Sequence, residues 1–261
     1  LQPRRPGAPS GRGGGLPPQA VPLAHGGAAP EGEGATRWGL PAVPEVAETV
    51  ALLGILELVR STGARVHLAR LSTARAVALV AEAKREGLPV TCDVGVHHLH
   101  LCDRDAADFN AHMNLVPPLR GQADRDALRR GLADGTIDAV CSDHTPVDDD
   151  AKLVPFGEAE PGATGLELLL PLILKWGGEM KIGLPAALAA ATSRAAAILG
   201  VQAGSLAPGA PADLCLFDPE RPWRVTREAL ASQGRNSPFL GYELAGRAVT
   251  TIVGGRVVYP A

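Results

Sequence analysis

The chain has 261 residues, of which 46% are hydrophobic and 3% aromatic, and its formal net charge is -3 at pH 7. This length fits one large domain, or one domain with a small appendage, and the apolar content can fill a sizeable core. The small negative charge gives no indication of nucleic-acid binding or of attachment to an anionic membrane surface. No apolar run reaches the roughly 20 residues of a membrane span. The N-terminus lacks a signal peptide's apolar segment.

The four cysteines, Cys92, Cys102, Cys141 and Cys215, show no CxxC spacing. Three of them (Cys92, Cys141 and Cys215) lie in apolar stretches typical of strands, so buried free thiols are expected. Because free thiols persist in reducing compartments, we predict a cytoplasmic protein.

Residues 1–38 differ in composition from the rest of the chain. They are rich in Gly, Pro and Arg and show neither a helical nor a strand period. This composition predicts a disordered leader.

From Gly39 onward the pattern predicts regular structure. Apolar periodicity, with glycines just past several helix ends, predicts helices near residues 46–59, 73–86, 123–134, 165–175 and 185–199. Ser72 or Thr73 is expected to cap the second of these helices. Strands are predicted near residues 65–71, 89–94 and 138–141.

Strands that alternate with helices indicate βα units and a parallel sheet. The last 50 or so residues change character, with strands expected near 212–218 and 248–258 and Gly-rich turns. We therefore expect an α/β domain over residues 39–205 and a small β-rich appendage over residues 206–261.

A polar cluster follows each predicted parallel strand: residues 70–73, 97–100 and 142–145. In a (β/α) barrel the carboxyl ends of the strands converge on one face, where the chemistry takes place. Histidine and aspartate side chains from different strands can meet there and form a zinc site or a mixed His/carboxylate site.

Simpler interpretations exist for each cluster alone. A single histidine near a strand end is usually a hydrogen-bonded polar residue, and Asp-His-Thr-Pro at 143–146 is also a sequence typical of a loop start. Three clusters at three consecutive strand ends favour a common site.

Several segments resemble the dihydroorotases associated with aspartate transcarbamoylase, which belong to the amidohydrolase superfamily. The resemblance extends from about Gly39 to Pro260. The motifs that carry it lie at residues 66–73, 116–120, 142–146, 162–167, 234–239 and 253–257.

This resemblance implies a TIM-type barrel with a composite β appendage. It also implies zinc, and the interconversion of dihydroorotate and N-carbamoyl-aspartate in pyrimidine biosynthesis. In such enzymes a metal lowers the pKa of a bound water and polarises the amide, while a carboxylate transfers the proton.

Carried over to this sequence, the resemblance assigns His98 and Asp143 as metal ligands, with Asp143 also the general base. It places His144 and Gly165 on the substrate side.

Three further positions depart from the family pattern. Arg70 stands where the family has a ligand histidine. Val116 and Val147 replace an asparagine and a histidine that contact the substrate.

The resemblance also implies missing parts. The His-x-His pair of the first barrel strand has no counterpart, and we expect most of the first four strands to be absent. The leader is therefore either natural or a frameshifted relic, because Arg4–Ala8 can be encoded so that a one-base shift reads Glu-Asp-Pro-Ala-Leu.

Two functions follow from these observations. The first is a dihydroorotase by descent. The second is a non-catalytic scaffold that binds aspartate transcarbamoylase, as in the degenerate branch of the family, with Arg70 paired to Asp143 or Asp93. A third alternative is a βα binding module unrelated to this family. The number of matching motifs argues against it.

Overall fold

The computed structural model describes residues 19–22 and 42–259. Most of the predicted leader lies outside these residues. Its described part, Gln19–Pro22, forms a strand, β1, where the composition predicted none.

A parallel sheet forms the centre of the described structure. Its order is β1-β2-β3-β4, and each neighbouring pair is parallel. The strands after β1 are β2 (Val66–Ala69), β3 (Val90–Gly95) and β4 (Ala139–Cys141). The predicted adjacency of three parallel strands is confirmed.

Helices connect and cover these strands, as the alternating pattern predicted. They are α1 (Glu45–Thr62), α2 (Ala74–Arg85), α3 (Gln122–Asp134), α4 (Leu169–Glu179), α5 (Leu184–Ala189) and α6 (Ser193–Leu199). Thr73 caps α2 by accepting a hydrogen bond from the backbone of Ala76, so the cap is Thr73 and not Ser72. Gly63 and Gly135 end α1 and α3 in the left-handed conformation.

Two helix predictions need correction. The predicted helix at 185–199 is two helices, α5 and α6. Between them, the carbonyl of Ala190 accepts a hydrogen bond from the backbone N–H of Val140 in β4. This carbonyl is therefore bonded to the sheet and not to the next turn of a helix. The helix predicted at 165–175 begins at Leu169, and residues 166–168 before it form a turn.

The appendage is a separate antiparallel sheet in the order β5-β6-β7. Its strands are β5 (Leu214–Arg224), β6 (Glu243–Val253) and β7 (Arg256–Tyr259). The pairing of residues 212–218 with 248–259 is confirmed by the register Leu214 to Ile252. The single strand predicted at 248–258 is in fact a hairpin, because Gly254 and Gly255 form a turn with positive φ.

The hydrophobic core lies between the parallel sheet and its helices. Its largest buried side chains include Leu52, Leu56, Leu68, Leu128, Leu132 and Trp176. Of the cysteines predicted to be buried, Cys92 is buried, Cys141 is half-buried and Cys215 is exposed. Cys215 is exposed because one face of β5 lacks a covering layer in the described structure.

A buried polar network joins α1 to the turn after β2. Both the backbone N–H and the hydroxyl of Ser72 donate to the Glu48 carboxylate. Arg120 donates to the Ser72 hydroxyl over 3.1 Å and to the Val43 carbonyl over 2.5 Å. This network fixes the chain beside Arg70. Within the described ranges, no helix has both the length and the apolar character needed to cross a membrane.

Candidate functional site

The carboxyl ends of β2 and β4 meet through a direct ion pair. Arg70 follows β2 and Asp143 follows β4, and Nη1 of Arg70 lies 3.2 Å from Oδ1 of Asp143. The same Nη1 donates to the carbonyl of Val116 over 2.9 Å. A guanidinium therefore connects two strand ends and a loop.

Both residues of this pair have a left-handed backbone, with φ of 60° at Arg70 and 45° at Asp143. Such a conformation costs a non-glycine residue on the order of 1–3 kcal/mol, and residues of this kind concentrate at functional sites. At Arg70 the conformation is supported by Asp93, whose Oδ1 accepts the Arg70 backbone N–H over 2.7 Å.

Asp93, inside β3, is the acceptor at the centre of this region. Its Oδ2 lies 2.9 Å from Nε2 of His67, and the Cys141 thiol donates to its Oδ1 over 3.6 Å. The other nitrogen of His67 contacts the Thr91 hydroxyl at 2.9 Å. Sequence reasoning named Asp93 only as a possible partner of Arg70 and assigned no role to His67 or Cys141. The available signal was a charged residue inside an otherwise apolar strand, which requires a partner.

The predicted ligand His98 lies in a short 3-10 turn after β3 and is buried. Its Nε2 is 3.0 Å from the carbonyl of Pro117, and a carbonyl only accepts, so Nε2 carries the proton. Burial lowers the pKa of His98 to about 4, which leaves the ring neutral near pH 7. The lone pair on Nδ1 is therefore the one donor that His98 can offer to a metal.

His98 and Asp143 both approach Gly95. A Cβ at Gly95 would be 3.3 Å from Nδ1 of His98 and 3.4 Å from Oδ2 of Asp143. Burial raises the pKa of Asp143, and the charge of Arg70 opposes that rise. The two predicted metal ligands and Arg70 thus occupy one region at the strand ends.

The predicted substrate-side residues His144 and Gly165 contact each other directly. Nδ1 of His144 accepts the backbone N–H of Gly165 over 3.1 Å and that of Leu166 over 3.3 Å. Because Nδ1 accepts, Nε2 carries the proton in the neutral ring and faces the Ser232 hydroxyl at 3.4 Å. His144 therefore presents an N–H group, not a base, to its surroundings.

His97, next to the predicted ligand, is fully buried and stacks on Phe239 with ring centroids 5.9 Å apart. Burial lowers its pKa to about 3, so the ring is neutral. Within the described structure neither ring nitrogen has a side-chain hydrogen-bond partner. His97 is thus buried in the interior beside the predicted ligand His98.

The two valines at family substrate positions offer no polar side chain. Val116 contributes its backbone carbonyl to Arg70. Val147 donates its backbone N–H to Oδ1 of Asn236 over 3.1 Å. One backbone polar group of each valine is thus bonded within the protein.

The residues present do not fit a catalytic zinc ion. Such an ion takes three or more protein ligands plus water. Among the described residues, no group of three or more His, Cys, Asp or Glu side chains has the arrangement of a metal site. His98 offers one nitrogen, and one oxygen of Asp143 is bound to Arg70.

A parallel sheet with polar residues at the carboxyl ends of its strands, and a separate antiparallel sheet, define an α/β protein with a candidate site at those strand ends. The profile of the amidohydrolase family matches residues 32–258. The chain belongs to the amidohydrolase family.

Relatives in sequence are dihydroorotases and dihydroorotase-like proteins, which confirms the resemblance. A dihydroorotase-like protein of Pseudomonas aeruginosa is 44% identical over 241 residues, which are 92% of this chain and 57% of that protein. A dihydroorotase of Anaeromyxobacter dehalogenans is 44% identical over 231 residues, 88% of this chain and 53% of that protein. The chain spans about half the length of the curated relatives it matches.

Solved structures of similar fold are hydantoinases. An L-hydantoinase (dihydropyrimidinase) from Arthrobacter aurescens is 29% identical with a TM-score of 0.78, over 83% of this chain and 49% of that one. A D-hydantoinase (dihydropyrimidinase) from Thermus sp. is 25% identical, also with a TM-score of 0.78, over 88% of this chain and 51% of that one. The α/β prediction is therefore confirmed.

Proposed function

We propose that the chain is part of a dihydroorotase-like protein that does not hydrolyse dihydroorotate and acts as a non-catalytic partner of aspartate transcarbamoylase. The observation that carries the proposal is the ion pair between Arg70 and Asp143. It occupies the carboxylate that would serve as metal ligand and general base in an active relative.

The first support is chemical. A guanidinium stays protonated and has no lone pair for a metal, so Arg70 cannot replace a ligand histidine. Its positive charge also repels a cation near Asp143, and this repulsion is strong where water is scarce. Both effects act against a bound zinc ion.

The second support concerns the substrate. Val116 and Val147 lack the side-chain hydrogen bonds that the family pattern places there. Losing a hydrogen bond to a charged group costs roughly 1.5–3 kcal/mol. Two such losses reduce transition-state binding by about two to four powers of ten.

The alternative is an active dihydroorotase, as the name of the Anaeromyxobacter relative says of that protein. Asp143 and His144 are retained and favour this alternative. The Pseudomonas relatives of similar identity are named dihydroorotase-like.

The partner and the location belong to the same proposal. We infer that β1 to β4 are part of a (β/α) barrel, because they are parallel and alternate with helices. Aspartate transcarbamoylase is the partner that the family resemblance names. The free thiols fit a reducing cytoplasm.

The test compares this chain with the Anaeromyxobacter dihydroorotase, purified in the same way. We expect less than stoichiometric zinc by elemental analysis and no metal-dependent ring opening of dihydroorotate. We also expect co-elution with aspartate transcarbamoylase of the same organism in size-exclusion chromatography at micromolar concentration.

Stoichiometric zinc together with ring opening would show that the chain is an enzyme. Separate elution of the two proteins would remove the proposed partner. The relative serves as the positive control for both the metal analysis and the assay.

A further inference from the structure

Arg70 joins several elements of this region through its hydrogen bonds. Its Nη1 carries two hydrogens, and two acceptors are in reach: Oδ1 of Asp143 at 3.2 Å and the carbonyl of Val116 at 2.9 Å. Its backbone N–H is held by Asp93. One residue of the β2 end therefore contacts the β3 strand, the β4 end and the loop before Pro117.

The two carboxylates next to Arg70, those of Asp143 and Asp93, are mostly buried and need positive charge or hydrogen-bond donors nearby. The Asp143 side chain is 11% exposed and the Asp93 side chain 14% exposed, and both contact Arg70. A buried carboxylate without a cation or hydrogen-bond donors is costly. In the described structure Arg70 is the one arginine or lysine that forms an ion pair with Asp143.

We propose that Arg70 is a built-in counter-ion that takes over the bridging role of a metal and keeps divalent cations out of this site. This inference deepens the proposed absence of metal-dependent hydrolysis. It is independent of aspartate transcarbamoylase. In this role Arg70 stabilises the folded chain.

The test uses Arg70→Met, Arg70→His and Arg70→Lys in the full chain, with melting temperatures measured in EDTA and in excess zinc chloride. Methionine keeps much of the side-chain volume without charge or donors. Histidine supplies a lone pair beside Asp143 and near Nδ1 of His98. Lysine keeps the charge without the planar donor geometry.

In EDTA we expect Arg70→Met and Arg70→His to melt lower than the wild type by about 5 °C, a modest value because the Arg70 side chain is 27% exposed. Zinc should restore the melting temperature of Arg70→His alone. The melting temperature of Arg70→Lys should fall less than that of the other two variants, and zinc should not change it. Zinc should leave the wild type unchanged.

Matched controls are Arg75→Met and Arg75→His, since Arg75 is an exposed residue of α2. These variants should match the wild type under both conditions. If Arg70→His or Arg70→Met does not fold in EDTA, the yield of soluble protein after refolding is compared in place of the melting temperature. Zinc in the refolding buffer should then recover Arg70→His and not Arg70→Met.

Three results would overturn the inference. They are a wild type stabilised by zinc as much as Arg70→His, an Arg70→Met variant as stable as the wild type, and an Arg70→His variant that zinc does not stabilise. A wild type that lacks zinc and activity while Arg70→Met stays fully stable would leave the proposed function intact and remove this inference alone.

Discussion

The backbone carbonyl oxygen of Ser142 packs against Gly165, in the space that a Cβ atom would fill in any other residue. Such an atom would overlap the carbonyl oxygen of Ser142 and would lie 3.0 Å from Cε1 of His97. The N–H of Gly165 meanwhile donates to His144. The close approach of two backbones thus fixes the loop that holds His144 in its tautomer.

Gly165→Ala should therefore destabilise the protein by about 2–4 kcal/mol, because the neighbouring backbone cannot move aside easily. Urea denaturation followed by circular dichroism measures the difference. Gly178→Ala is the control: it lies in α4 with nothing within 4 Å of the added Cβ, and should be neutral or stabilising by up to about 1 kcal/mol. Equal stability of the two variants would contradict the packing argument.

Glu48→Ala should cost about 3–5 kcal/mol of unfolding free energy, since it leaves the Ser72 donors and Arg120 in a buried environment without this carboxylate. Glu57→Ala, on the exposed side of the same helix, should change stability by less than about 0.5 kcal/mol. Thermal and urea denaturation should give the same order. A loss at Glu48 no larger than that at Glu57 would show that the network is not stabilising.

Asn236 is buried and bonds in four directions. It donates to the carbonyls of Thr145 and Gly162 and accepts from Val147 and from the Thr164 hydroxyl. Asn236→Ala should cost about 2–4 kcal/mol, and Asn236→Asp a similar amount because both amide donors are lost. As a control, Asn110→Ala removes one hydrogen bond, from the backbone N–H of His112 to the half-exposed Asn110 side chain. It should lower the unfolding free energy by about 1 kcal/mol. An Asn236→Asp variant with wild-type stability would contradict this assignment.

Lys152 is buried and donates to the carbonyls of Ala111, Asn114 and Glu160. Burial lowers its pKa to about 8, against an ordinary value of 10.5. The unfolded chain then binds more protons than the folded one between these pH values. Stability contributed by this group should therefore rise from pH 8 towards 10.5, by about 3 kcal/mol at most, and stay level below pH 8.

The measurement is the urea midpoint of wild type and Lys152→Met at a series of pH values. Lys152→Met should be less stable at pH 7, because three carbonyls lose a donor. It should also lack the rise above pH 8. If the stability of both proteins rose equally with pH above pH 8, groups other than Lys152 would be responsible for the rise.

Much of the fold was predictable because strand and helix periods are local. The order of the parallel strands followed from the βα alternation, and Thr73 and Gly135 mark helix ends in the sequence itself. The break between α5 and α6 was not predictable, because it depends on Val140 donating to Ala190 across the fold.

At the site, sequence reasoning identified Arg70 as a replaced ligand and proposed Asp143 or Asp93 as its partner. The structure shows contacts to both, through the side chain to Asp143 and through the backbone to Asp93. The contact of His67 with Asp93 was missed, since the alternation of a four-residue strand does not say which neighbour a side chain meets. The exposure of Cys215 was likewise missed, because an apolar strand sequence does not reveal whether a second layer covers it.

A counter-ion that belongs to the polypeptide is present as soon as the strand ends come together. Where a metal performs that task, the apo protein must acquire an ion during maturation, and chelators or metal shortage then limit the amount of folded protein. With Arg70 opposite Asp143, the yield of folded chain should not vary with the zinc content of the growth medium. On the counter-ion proposal, the strand ends of this chain are therefore held together without metal supply from the cell.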